Sequence, residues 1–153
     1  EKAEEIKVET GNTVRDFDHY IEQRSQNFEF KFITLSQLSF NELNNYQLIE
    51  KIYSIIGGKP KNVNQVLISE TMQRDAYSFS PAAGLFQGLE KRIIIKRSVL
   101  SNRQRFIAVF LHEIAHAISG ATDSSRTFED ELTRLLGIFG EKSLSKGILD
   151  IFK

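Results

Sequence analysis

The chain has 153 residues, 41% apolar and 26% charged, which suits one soluble domain large enough for a real core. Twenty basic residues balance twenty acidic ones, so net charge offers no pull toward nucleic acid or an anionic membrane surface. With no cysteine, a disulfide framework, a thiolate zinc site and a cysteine nucleophile are all excluded, in keeping with an intracellular, cytoplasmic protein. No apolar run approaches the ~20 residues of a membrane span, and no signal peptide is visible.

Residues 1–12 are rich in charge and end at Gly11-Asn12, the pattern of a flexible N-terminal arm, leaving 13–153 as a single domain. The opening E-K-A-E-E, without an initiator Met, is expected of a processed product or of a domain from a longer chain. Thr13-x-x-Asp16 predicts a short amphipathic helix with Val14, Phe17 and Ile21 on one side, and His19 on that helix reads as a surface histidine. Phe28-Glu-Phe-Lys-Phe32 alternates aromatic and charged residues, as a half-buried strand does. Ser39-x-x-Glu42 is a capping box that opens a helix with Phe40, Leu43, Ile49, Ile52, Tyr53 and Ile56 on its apolar side, and Gly57-Gly58 and Pro60 stop it.

Val66–Ser69 reads as a short strand. Ser80 to Phe86, a turn at Gln87-Gly88 and Arg92–Lys96 read as two further strands of one sheet. Ser101-x-x-Gln104 is the expected cap of a long helix that ends at Gly120. Thr127-x-x-Asp130 starts another, carrying Phe128, Leu132, Leu135, Leu136 and Phe139. Gly137 and Gly140 weaken its end, and the tail from Ser143 forms one more short helix. The fold class is therefore α+β: a small mixed sheet packed on helices.

The helix from Ser101 to Gly120 carries F-L-H-E-I-A-H-A-I-S, and so an H-E-x-x-H pattern at His112, Glu113 and His116. Residues four apart share one helix face, so the two imidazoles can grip one divalent ion, while Glu113 can reach a water beside it. From Phe106 to Ile118 every other residue is apolar, which predicts a helix buried on nearly all sides. An unpaired carboxylate in such a setting is costly, and a metal site removes the conflict.

These residues resemble the zincin metallopeptidases over about 82–139, with strand, turn, strand, capped H-E-x-x-H helix and then a helix bearing glutamate. The resemblance implies one zinc ion per chain, with His112 and His116 as ligands and Glu113 as general base. It also implies that the strand at Ala82–Phe86 is the sheet edge, where a peptide substrate lies alongside Ala83, Gly84 and Leu85. Gly84 serves there either as close-approach position or as bulge.

Phe128-Glu-Asp-Glu-Leu-Thr-Arg-Leu-Leu-Gly137 is similar to the glutamate helix of the gluzincin branch, although only 13 residues separate His116 from Glu129. The third ligand is expected to be Glu129, with Glu131 and Asp123 as alternates. Leu132, Thr133 and Leu136 would face inward beside Glu129, whereas turning Glu131 to the metal would bring Arg134 with it. Tyr77 and Arg126 are candidate donors toward an oxyanion. The pattern also resembles the C-terminal end of bacterial proteins with a histidine-kinase-like ATPase domain, which implies a covalently linked or associated ATPase as partner.

The expected function is a zinc-dependent endopeptidase acting on protein or peptide. Two rivals stand beside it: a non-catalytic interaction module that keeps the fold, and a metal-dependent amidohydrolase acting on a non-peptide substrate.

Overall fold

The computed structural model describes residues 28–73 and 81–151. The arm at 1–12, the helix expected from Thr13, His19 and Tyr77 lie outside the described residues. Within them the fold is mixed α and β, with four strands in the order β1-β2-β4-β3 and four helices. The strands are β1 (Phe32–Ile33), β2 (Gln65–Ser69), β3 (Gly84–Gln87) and β4 (Arg92–Lys96). The helices are α1 (Phe40–Tyr46), α2 (Leu48–Ile56), α3 (Arg103–Ser119) and α4 (Arg126–Ile151).

β4 is the middle of the sheet, pairing in parallel with β2 and antiparallel with β3. Ile93, Ile94 and Ile95 are all fully buried. That follows from their being an unbroken apolar run rather than an alternating one, so both faces of β4 must be covered. β1 pairs antiparallel with β2 through only two residues, Phe32 with Ser69 and Ile33 with Ile68. The aromatic alternation at 28–32 instead continues N-terminal to the strand as a ladder of rings. Phe28 meets Phe30 edge-on at 5.0 Å, and Phe30 stacks on Phe32 at 5.6 Å. The strand expected at 80–86 is shorter and displaced, because pairing with β4 begins at Gly84 opposite Ile95.

The helix expected across 40–56 is two helices broken at Gln47. Its cap is as the sequence reads: Ser39 N–H donates to Glu42 Oε2 at 2.7 Å, and Ser39 Oγ accepts from Glu42 N–H at 3.3 Å. The break follows two successive asparagines, weak helix formers, at a point where side chains tie the chain elsewhere. Asn45 Nδ2 donates to Leu100 O at 2.8 Å and Tyr46 Oη to Val66 O at 3.1 Å. Gly57 then ends α2 with φ of 100°, a left-handed conformation suited to glycine.

Residues 97–101 form a 3₁₀ turn that uses Ser101, so the cap of α3 falls on Asn102. Asn102 Oδ1 accepts from Arg105 N–H at 2.9 Å, while Ser101 Oγ donates back to Ser98 O. Gly120 ends α3 at φ 64°, as expected. The last helix runs unbroken from Arg126 to Ile151, so the separate tail helix does not form and the two glycines do not end it. Its first turn is held by Ser125 Oγ, which accepts from Phe128 N–H at 3.2 Å, rather than by Thr127.

The core lies between sheet and helices. Phe106 and Phe110 of α3 stack at 5.7 Å, and Tyr53 of α2 meets Phe110 at 5.6 Å. Phe128 and Leu135 bring α4 into the same cluster. Lys142 Nζ of α4 donates to Ile55 O, fastening α4 to the end of α2. No helix among the described residues is long and apolar enough to cross a membrane.

Candidate metal centre

α3 is not buried all round. Phe106, Phe110, Leu111, Glu113, Ile114, Ala115 and Ala117 face the core. Ala108 is exposed, and His112, His116 and Ser119 are only partly buried. Positions 108, 112, 116 and 119 follow one helical stripe. The apolar composition hid this stripe because Ala108 tolerates water as readily as a core. Through it the two histidines reach the surface.

His112 Nε2 and His116 Nε2 lie 3.1 Å apart. Asp123 Oδ1 lies 3.1 Å from the first and 3.2 Å from the second. His112, His116 and Asp123 thus form a group of three potential ligands, each offering one atom. Asp123 sits in the short loop between α3 and α4. The loop is shaped by Gly120 in the left-handed region, by Ser124 at φ 63°, and by Ser125 Oγ donating to Thr122 O at 2.8 Å.

Two neighbours fix the imidazoles. His116 Nδ1 is 2.8 Å from Ala121 O. A carbonyl can only accept, so Nδ1 donates to it, and the Nε2 atom of the ring faces the cluster. The Phe128 ring stacks on His116 at 4.2 Å and meets His112 edge-on at 4.8 Å. Burial pushes the pKa of His112 down, and the neighbouring His116 adds to this. Asp123 opposes both without reversing them. Neutral imidazoles are the metal-binding form.

The donor set fits a divalent ion. Three potential ligand atoms, two imidazole nitrogens and a carboxylate oxygen, converge, and a cation would satisfy all three. Four ligands at zinc distances of 2.0–2.1 Å are separated by ~3.3 Å in a tetrahedron. The observed separations of 3.1, 3.1 and 3.2 Å are close to that spacing.

Of the three carboxylates expected as third ligand, the structure places the alternate Asp123, rather than the preferred Glu129, beside the histidines. In α4 the inward residues are Phe128, Leu132, Leu135 and Phe139. That register leaves Glu129 and Thr133 exposed and Leu136 54% exposed, so of the inward set expected around Glu129 only Leu132 faces the core. Phe128 takes the place against the imidazoles that Glu129 would need. Glu131 pairs with Arg134 through hydrogen bonds of 2.6 and 2.9 Å. Arg126 is exposed and faces Asp130 at 3.8 Å, so it is not directed to the cluster.

Glu113 lies on the buried face of α3, against Gly84 of β3. It is 5% exposed. Burial pushes its carboxyl up to about 8, the Asp123 charge adds to this, and a hydrogen bond from the Phe86 backbone N–H opposes it. β3 is the terminal strand of the described sheet. A Cβ placed on Gly84 would stand 2.7 Å from Glu113 Oε1, and 2.8 Å from both Glu113 Cγ and Val109 Cγ1. The glycine therefore marks a close approach of helix to strand, not a bulge, since Gly84 pairs in register with Ile95. Ala83 and Leu85 flank it.

Phe128 and the Ala121 carbonyl are the contributors that sequence reading did not assign to the site. Phe128 was visible only as part of an apolar stripe, and a backbone carbonyl leaves no trace in sequence. Comparison with protein-family models, curated proteins and solved structures finds no match.

Proposed function

We propose that the chain is a zinc-dependent endopeptidase domain in which His112, His116 and Asp123 hold the ion and Glu113 is the general base. The observation that carries this reading is the convergence of those three ligand atoms on the open stripe of the helix whose buried face carries Glu113. A bound zinc ion supplies Lewis acidity and lowers the pKa of water. His116 is oriented for this by Ala121, and Phe128 limits rotation of both rings. Asp123 provides the one negative charge of the ligand set.

Glu113 supplies the proton-transfer group. A carboxyl near neutrality can accept a proton at one stage and give it to the leaving amine at another, and a nearby dication would draw its pKa down from about 8. Its helix packs against β3, whose outer edge suits an extended peptide added as a further strand. The presence of a buried acid favours an enzyme over a structural metal site, which needs no base.

Stripping the protein with a chelator should abolish cleavage of an unstructured protein substrate, and one equivalent of zinc should restore it. Cleavage that persists in metal-free protein would refute this function.

A further inference from the structure

Glu113 is held from two directions by β3. The first is the bare Cα of Gly84, against which the Glu113 side chain lies. The second follows from the sheet register. Lys96 N–H donates to Ala83 O at 3.0 Å, so Ala83 and Lys96 are a hydrogen-bonded pair. In an antiparallel ladder such pairs alternate, so Gly84 opposite Ile95 and Phe86 opposite Ile93 are non-hydrogen-bonded pairs. The N–H of Phe86 therefore points away from β4, outside the ladder, and it acts to lower the pKa of the Glu113 carboxyl.

We propose that Gly84 is a positioning residue for Glu113. Together with the outward N–H of Phe86 it forms a seat on β3 that decides where the carboxylate lies. Gly84 has no positive φ that would require glycine for backbone reasons. Its requirement is spatial: a methyl group there falls within contact limits of two Glu113 atoms and one Val109 atom. The carboxylate end is the part best able to move, so Gly84→Ala should displace Glu113 relative to the Phe86 N–H while leaving His112, His116 and Asp123 in place. The catalytic consequence rests on the peptidase reading; the seat itself does not.

The test uses the full chain, loaded with zinc, as wild type, Gly84→Ala, Glu113→Ala, Glu113→Gln and Gly84→Ala/Glu113→Gln. The activity-independent readout is the Phe86 amide by NMR. Its shift and exchange rate should change in Gly84→Ala in the same direction as in Glu113→Ala, with zinc still at one per chain. An unmoved Phe86 amide in folded Gly84→Ala overturns the proposal.

For peptide cleavage, Gly84→Ala should lower kcat at least ~10-fold with KM within ~2-fold, and should add under ~2-fold to the loss already caused by Glu113→Gln. An equal loss in both backgrounds would show that Gly84 does not act through Glu113. If the wild type cleaves nothing, the peptidase reading fails while the Phe86 amide still decides the seat. If Gly84→Ala does not fold, Gly84→Ala/Val109→Ala removes one of the clashing groups. A folded double variant with an unmoved Phe86 amide overturns the proposal, and a displaced one supports it.

Discussion

Replacing Asp123 by Ala removes the only charged ligand of the proposed site. It leaves two neutral imidazoles whose Nε2 atoms are 3.1 Å apart. Loss of a group that merely supports a ligand costs ~10–100-fold in metal affinity, so loss of the ligand itself should cost at least ~100-fold. At ~1.4 kcal/mol per tenfold, that is about 2.8 kcal/mol. Zinc stabilises the folded chain by linkage, so with zinc in excess the same amount is taken from its contribution to stability. A domain of this size shifts Tm by roughly 2–4 °C per kcal/mol, so the zinc-induced rise in Tm should shrink by about 6–11 °C. Glu129→Ala, on the exposed side of α4, should leave both quantities near wild type. The assay is competition against a chromophoric chelator, with thermal unfolding in zinc and in chelator run in parallel. Loss of zinc in Glu129→Ala with retention in Asp123→Ala would refute the ligand assignment.

Three other outcomes follow from the fold. Phe110→Ala removes a fully buried ring stacked on Phe106, and should cost ~3–5 kcal/mol in denaturant unfolding. Asn102→Ala should cost ~1 kcal/mol as the true cap of α3, while Ser101→Ala stays within ~0.5 kcal/mol of wild type. Hydrogen bonding to Arg97 lowers the Glu42 pKa to about 2, and Arg97 also reaches Glu70. Because the folded-state value is depressed, this contribution is present above the unfolded-state value near 4.5 and is lost as pH falls toward 2. Glu42→Gln should therefore flatten the acid limb of the stability–pH curve, and an unchanged limb would show that the pair contributes nothing.

The clearest elements in the sequence were those with redundant signals. β4 is a bounded run of isoleucines, and α3 is a long apolar run closed by a terminal glycine; both elements form, α3 with its cap one residue later than expected. Ser39 and Glu42 likewise form the capping box their spacing suggests. Less legible were features decided by long-range partners. The break at Gln47 depends on Asn45 reaching Leu100 and on Tyr46 reaching Val66, residues far away in the chain. The shift of the α3 cap to Asn102 depends on a 3₁₀ turn consuming Ser101.

At the site, His112 and His116 were legible because four-residue spacing on a helix is a geometric statement. The carboxylate was legible only as one of three candidates, Asp123 standing behind Glu129. Glu129 and Asp123 are separated by loop geometry, including a left-handed Ser124, that no periodicity encodes. The register of α4 was set by Phe128 packing on the imidazoles, an aromatic contact the apolar stripe alone did not orient. Gly84 was noticed for its lack of a side chain, but its partner, Glu113, became evident only once helix and strand were placed together.

The central claim is that Glu113 acts as the base beside a zinc ion held by His112, His116 and Asp123. The most direct measurement is the single-turnover rate of peptide cleavage by zinc-loaded wild type and zinc-loaded Glu113→Gln, with metal content determined on the same samples. Equal zinc content with a rate lower by ~100-fold or more in Glu113→Gln is the predicted result. Equal zinc content with equal rates would contradict it.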